Sequence, residues 1–348
     1  MERKILKWST CTLGILTVMM CMGLYFMPTV KDAFLAAVDT MPEDLQQGSN
    51  MGSTVEIEDA VVVRDEKLNI ELPDGNDGDD VEIINDYVNH TVYVRFAKGV
   101  NNYSENYVVR GSSDHISNLS YYRDGEAGVL ELNLDKACEH YYSYKDGFLC
   151  VEFKDLRDAY DKIVVVDAGH GGKMPGAVKK NIIEKNLNLD IVLKLKEVVD
   201  KANNKSIKVL YTRLEDVNPS YADRVALGNE LDADLFISVH NNASSSGKFN
   251  DENGTMVLYS QNEPDDVSKR FAEICLKNVT ASTGSKKLGL VKGNDIYVVR
   301  ESKVPVALIE VGFMTNTKEL DNLCSANYQY KVAQGIYNAI LEAFEEGF

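Results

Sequence analysis

Two histidines and three carboxylates between residues 163 and 310 have types and positions suited to chemistry. His170 closes the stretch IVVVDAGHGG (163–172), where a run of β-formers leads into glycines, and His240 closes DLFISVH (234–240). Glu310 ends a third apolar run, PVALIE (305–310). A single histidine at a strand end reads as a core histidine beside a tight turn. Three chemistry-bearing residues at the same place on separate strands read as a site. Two imidazoles on one sheet lip are most simply zinc ligands, and a catalytic zinc takes three protein ligands and keeps one position open. Asp167, Glu184 and Glu310 are the carboxylates available as the third. Glu184 opens the helical pattern that follows the AGHGG loop, so it can swing over the lip. The glycines after His170 let the loop backbone approach a metal closely.

The elements around these residues predict how they are held. KIVVVDAGH is followed by Leu187, Ile191, Leu195 and Val198, spaced for one face of a helix. The strand IKVLYTR (207–213) precedes a helix that starts after Asn218-Pro219 and carries Tyr221, Val225 and Leu231. A last amphipathic helix runs through Tyr328, Val332, Ile336, Ile340 and Phe344. Alternating strands and helices, with strands that are almost continuously apolar, predict an α/β domain over 158–348. Its sheet is mostly parallel and twisted, with helices on both faces. Ligands of such sheets bind outside the carboxyl ends of the strands. Asp167 is read as a carboxylate that orients a histidine N–H, or as a loop hydrogen-bond acceptor.

Ahead of this domain the pattern changes. Arg3, Lys4 and Lys7 precede an uncharged run from Trp8 to Val30, long enough as a helix to cross the ~30 Å core of a bilayer. Residues 1–30 are therefore read as a transmembrane anchor with the rest of the chain extracytoplasmic, in the cell envelope. A cleaved signal peptide, which would make the protein secreted, is the alternative. Its only weak cleavage candidate is Leu35-Ala36-Ala37. Residues 31–57 read as a linker. Residues 58–157 read as a small all-β domain, a β-sandwich, because TVYVRF (91–96), GVLELNL (128–134) and FLCVEF (148–153) alternate between Asp-Gly turns. Within it DGNDGDD (74–80) mimics the start of a calcium loop. Its twelfth position is Asn85, where a bidentate Glu is needed, so it reads as an acidic turn. A hairpin turning at Asp146-Gly147 puts Cys150 opposite residue 142 or 143, out of disulfide reach of Cys138. The net charge of −17 and the lack of a basic cluster exclude nucleic-acid binding through phosphates. Six cysteines without CxxC or Cys/His zinc spacing exclude a disulfide framework.

The stretches VVVDAGHGGKMPGAV, EKNLNLDI, VLYTR, ADLFISVHNNA, NGTMVLYS and VVRESKVPVALIEVGFMTN, in this order over about 163–345, resemble the zinc-dependent N-acetylmuramoyl-L-alanine amidases of bacterial cell walls. The resemblance implies zinc held by His170, Glu184 and His240, with Glu310 as the catalytic acid/base. The implied substrate is the amide between muramic acid and L-alanine in peptidoglycan. Two local departures, KMPGA after the first histidine loop and HNNA after the second histidine, touch no implied ligand. The β domain resembles, more weakly, the AMIN-type modules that hold such enzymes on the wall; a plain spacer, or a protein partner for this domain, stays open. Some members of the family carry a helix that plugs the zinc. Here ASSSGKFNDENGT (243–255) is too short and polar for one, so an open site is expected. A zinc hydrolase of another amide or ester, and a non-catalytic wall-binding protein, are the competing readings. All four implied site positions are filled, which disfavours the second.

Overall fold

The computed structural model describes residues 67–262 and 266–348. The run Trp8–Val30, the linker and residues 58–66 of the expected β domain lie outside them. Among the described residues no helix is long and apolar enough to cross a membrane.

Residues 67–155 form eight strands: β1 (Lys67–Glu71), β2 (Val81–Asp86), β3 (Thr91–Phe96), β4 (Val109–Ser112), β5 (Ile116–Asp124), β6 (Ala127–Leu134), β7 (Cys138–Lys145) and β8 (Phe148–Asp155). A one-turn helix, α1 (Tyr103–Asn106), precedes β4. The strands make two antiparallel sheets, ordered β4-β1-β8-β7 and β2-β3-β6-β5. Period-two alternation turns Val92, Val94 and Phe96 inward and leaves Tyr93 and Arg95 partly exposed. Leu68, Ile70, Leu130, Leu132, Leu149 and Val151 complete a core shared by both sheets. The acidic turn is a turn: Asp77 caps the 3-10 helix Gly78–Asp80 by accepting from Asp79 N. The Asp146-Gly147 turn has positive φ at both residues. It sets Ser143 opposite Cys150 and Asp155 opposite Cys138, and neither cysteine is in a disulfide.

α2 (Leu156–Ala159) leads into β9 (Lys162–Ala168), the first strand of a six-stranded sheet ordered β12-β9-β13-β16-β14-β15. The remaining strands of that sheet are β12 (Ile207–Tyr211), β13 (Leu235–Asn242), β14 (Thr255–Tyr259), β15 (Lys287–Lys292) and β16 (Val306–Phe313). A small hairpin, β10 (Val178–Lys179) and β11 (Ile182–Ile183), sits between β9 and α3 (Glu184–Ala202). The other helices are α4 (Tyr221–Glu230), α5 (Val267–Thr283), α6 (Tyr297–Arg300), α7 (Thr317–Leu323) and α8 (Ala326–Glu345). Alternate strand residues feed two cores. Val164, Val166, Ile237 and Ile309 pack under α3, α5 and α8. Ile163, Val165, Phe236 and Leu308 pack under α4 and α6. The apolar stripe Leu187, Ile191, Leu195 and Val198 is the buried face of α3.

The sheet is mixed rather than simply parallel, because β14 runs antiparallel to β16. The loop after β13 stays at the carboxyl lip with no crossover helix, so β14 starts at that lip and returns. β15 then pairs parallel to β14 through α5.

Candidate active site

The lip where β9, β13 and β16 end carries the chemistry-bearing residues. His170 lies two residues beyond β9 in the left-handed region, φ 61°, followed by Gly171 and Gly172, also with positive φ. A non-glycine residue held there is uncommon and persists where the surrounding structure holds the backbone in place. His240 lies in β13 and Glu310 in β16, paired directly in the parallel register. Glu184 is the first residue of α3. It reaches the lip, although the β10–β11 hairpin, and not the loop alone, separates it from His170.

Three of these side chains converge. Glu184 Oε1 is 3.2 Å from His170 Nε2 and 3.0 Å from His240 Nδ1, and one ligand atom from each residue lies within 4.8 Å of the others. Backbone geometry makes room for them. A Cβ on Gly169 would stand 2.2 Å from His240 Nε2, and one on Gly176 would stand 2.4 Å from Glu184 Oε2. Only glycine lets the loop pass this close.

The carboxylates sit in different electrostatic surroundings. Burial opposes ionisation of Glu184, but the bonds from His170 and His240 outweigh it and hold its carboxyl far below the usual range. Ala177 N donates to Oε2 at 2.8 Å and Asn241 N to Oε1 at 3.2 Å, so both oxygens are fixed. Glu310 has no such set. Burial pushes its carboxyl up to about 7, with His240 opposing and the Glu184 charge adding to the rise. Its Oε2 is buried and takes no hydrogen bond. Two carboxylates a short distance apart are thus driven in opposite directions, the pattern that separates a fixed anion from a proton carrier.

Asp167 does not orient a histidine. Its Oδ1 accepts from Thr212 Oγ1 and Arg224 Nη1, each at 2.6 Å, and its Oδ2 accepts from Ser238 Oγ at 2.7 Å. Of the two readings, the hydrogen-bonding one fits, in a buried network under the loop.

The sequence profile of the N-acetylmuramoyl-L-alanine amidase family matches residues 164–342, about half of the chain. The chain belongs to this family. The amidase domain is 33% identical over 181 residues to the N-acetylmuramoyl-L-alanine amidase LytC of Bacillus subtilis, covering 52% of this chain and 35% of LytC. It is 31% identical over 200 residues to the germination-specific N-acetylmuramoyl-L-alanine amidase of the same organism, covering 53% of this chain and 81% of that one. The crystal structure of an N-acetylmuramoyl-L-alanine amidase from Clostridium difficile 630 is similar at TM-score 0.50 and 32% identity, over 54% of this chain and 98% of that chain.

Several residues that shape the amidase site were not singled out from the sequence. Arg224 donates to Ala168 O at 2.8 Å and His170 O at 2.7 Å. Arg213 donates to Ala168 O, Gly169 O and Lys185 O. Burial and the neighbouring Arg224 charge pull Arg213 down to about 10. Asn188 donates to Gly169 O at 3.0 Å and accepts from Asn241 Nδ2 at 2.8 Å. One of these had a signal. Asn188 stands four residues after Glu184 on α3, hence on the same helix face.

The loop after β13 carries no helix, as its length predicts. It is tied to the hairpin instead: Lys179 Nζ donates to Gly247 O at 2.6 Å, and Lys180 Nζ lies 5.0 Å from the Phe249 ring centre.

Proposed function

We propose that the chain hydrolyses the amide between N-acetylmuramic acid and L-alanine in peptidoglycan, with zinc held by His170, Glu184 and His240 and with Glu310 as general acid/base. The observation that carries this reading is the convergence of the three donor atoms, with an unbonded carboxylate beside them in register. The donor set also suits the ion. Zinc–ligand distances of about 2.0–2.1 Å in a tetrahedron put ligand atoms roughly 3.3 Å apart, and the two histidine–glutamate separations are 3.0 and 3.2 Å. Two imidazoles with one carboxylate are an ordinary set for a hydrolytic zinc with an open position.

When bound, zinc would supply Lewis acidity towards the amide carbonyl and lower the pKa of a water. The protein's own groups do the rest. Glu184 stays ionised and offsets the cation's charge. Arg224, Arg213 and Asn188 hold the backbone that aims His170, so the ring is in place before substrate arrives. Glu310, whose carboxyl is raised by burial, takes a proton from water and returns it to the amide nitrogen, which leaves poorly as an anion. In this reading residues 1–30 anchor the enzyme to the membrane and 31–57 span to the wall. Residues 58–157 act as an AMIN-like module that meets peptidoglycan outside the cytoplasm.

Digestion of purified peptidoglycan by the full chain, followed by mass spectrometry, tests the reading. It predicts stem peptides with a free L-alanine amine and glycan strands with intact lactyl carboxyls. Cleavage confined to peptide cross-links or glycosidic bonds would overturn it.

A further inference from the structure

A second group of metal-type donors gathers at one end of the two β sheets. Cys138 opens β7 and Asp155 ends β8, directly opposite each other. His115 precedes β5 and Asp135 follows β6, and Asp135 N donates to His115 O at 2.9 Å. Each sheet therefore contributes two donor side chains. Ligand atoms of His115, Cys138 and Asp155 all lie within 4.8 Å of one another. His115 Nδ1 is 3.7 Å from Asp135 Oδ1 and 3.9 Å from Asp155 Oδ1. Cys138 is fully buried. Asp155 Oδ1 is buried and receives no aligned hydrogen bond, although Lys136 Nζ lies 2.7 Å away.

We propose that His115, Cys138 and Asp155 form a second zinc site, separate from the amidase centre, with Asp135 beside them as a fourth donor. A thiolate with an imidazole selects a borderline-soft ion over magnesium or calcium. The Cys138 thiolate and the Asp155 carboxylate balance the two positive charges, which lowers the cost of holding the ion, and the half-exposed Asp135 adds one further negative charge at the solvent side. Tetrahedral zinc needs nitrogen and oxygen donors roughly 3.3 Å apart, so the ring and carboxylates close by a few tenths of an ångström from their present separations. Lys136, half exposed, turns to solvent when the ion takes Asp155. Such an ion ties the two sheets together at the strand end from which α2 leads into β9. It would stiffen the join between the β module and the amidase domain.

The donor chemistry provides a test that the amidase centre cannot imitate, since His170, Glu184 and His240 include no thiolate. The full chain, kept reduced, is stripped of metal and reloaded with cobalt. A thiolate-to-cobalt charge-transfer absorption is expected in the wild type and in His170→Ala, and its loss in Cys138→Ser. Should Cys138→Ser fail to fold, Asp155→Asn and His115→Ala serve instead, with weakened or absent absorption expected. Zinc analysis should give about two ions per chain in the wild type and about one in His115→Ala or His170→Ala. His115→Ala should still hydrolyse peptidoglycan. One zinc in the wild type that His115→Ala retains, or no cobalt–thiolate absorption, overturns the proposal. Failure of the amidase reading would look different: no hydrolysis, with the thiolate signal intact.

Discussion

Asp167 and Arg224 form a 2.6 Å ion pair in which each side chain is 1% exposed, directly beneath the loop that carries His170. Burial opposes ionisation of Asp167, and the Arg224 charge, with bonds from Thr212 and Ser238, more than offsets it. The same guanidinium holds the carbonyls of Ala168 and His170. Removing it takes the positive charge from beside a buried carboxylate and the Arg224 bond from His170 O, while Ala168 O keeps its bond from Arg213.

Arg224→Met should therefore be among the most damaging changes outside the donor residues. Breaking one partner of a buried pair typically costs ~3–5 kcal/mol. Urea denaturation of the mutant should show a loss in that range, with weaker zinc retention because the His170 backbone is no longer held. A loss under about 1 kcal/mol would mean that the pair carries little of the loop's stability.

Asp234 makes a different, pH-dependent contribution. Burial opposes its ionisation, but Ile163 N and Lys162 at the start of β9, with Arg157 of α2, hold its carboxyl below the usual range. A folded pKa below the unfolded value means stability that is fully present above about pH 4, the unfolded value. It is lost as the pH falls through the folded pKa. Asp234→Asn should be less stable than wild type at pH 7, and the gap should narrow towards pH 3. A gap independent of pH would remove the charge from the explanation.

The strand ends were legible because buried parallel strands are nearly continuous apolar runs, so a histidine or glutamate terminating one stands out. Glu184 was legible for the same reason, as a carboxylate opening an apolar stripe. β15 was not: at the sheet edge, KLGLVK is mostly exposed and carries no apolar run. The direction of β14 was not either, since it depends on where the preceding loop stays and not on local pattern. Arg224 and Arg213 went unread because the Asp167–His170 segment they hold lies 44 to 57 residues away in sequence. A buried arginine looks like a surface one until those partners are known. Asp167 shows the same limit, since the sequence left a histidine N–H and a loop hydrogen bond both open while its oxygens are taken by Thr212, Ser238 and Arg224.

Gly169 offers a test of how closely the loop must pass the donors. The Cβ of Gly169→Ala would overlap the His240 ring, and with the loop backbone held in place the ring must shift from its position against Glu184. Changes that disturb ligand orientation typically cost 10–100-fold in metal affinity. Zinc titration of Gly169→Ala should show a loss of roughly that size, with the circular dichroism of the fold unchanged. Wild-type affinity would mean that the loop backbone moves freely and the close approach is not needed.

Glu184 and Glu310 should part company when each is changed to glutamine. Glu184 is surrounded by donors that hold it as an anion, and both of its oxygens are occupied. Glu184→Gln removes the negative charge that balances the cation and places an amide among N–H donors it cannot accept from equally. Metal content and turnover should therefore fall together. Glu310 has a free, buried oxygen and a carboxyl raised to about 7. Glu310→Gln keeps the shape but cannot take a proton. Zinc content and peptidoglycan binding should persist while turnover drops by ~10²–10⁴-fold, the usual contribution of a general acid/base. Zinc analysis and hydrolysis assays on the two mutants side by side separate the roles. If Glu310→Gln sheds its zinc while Glu184→Gln keeps it, the two roles are exchanged. If Glu310→Gln turns over near the wild-type rate, proton transfer runs through another group, and the unbonded oxygen beside His240 has no part in the reaction.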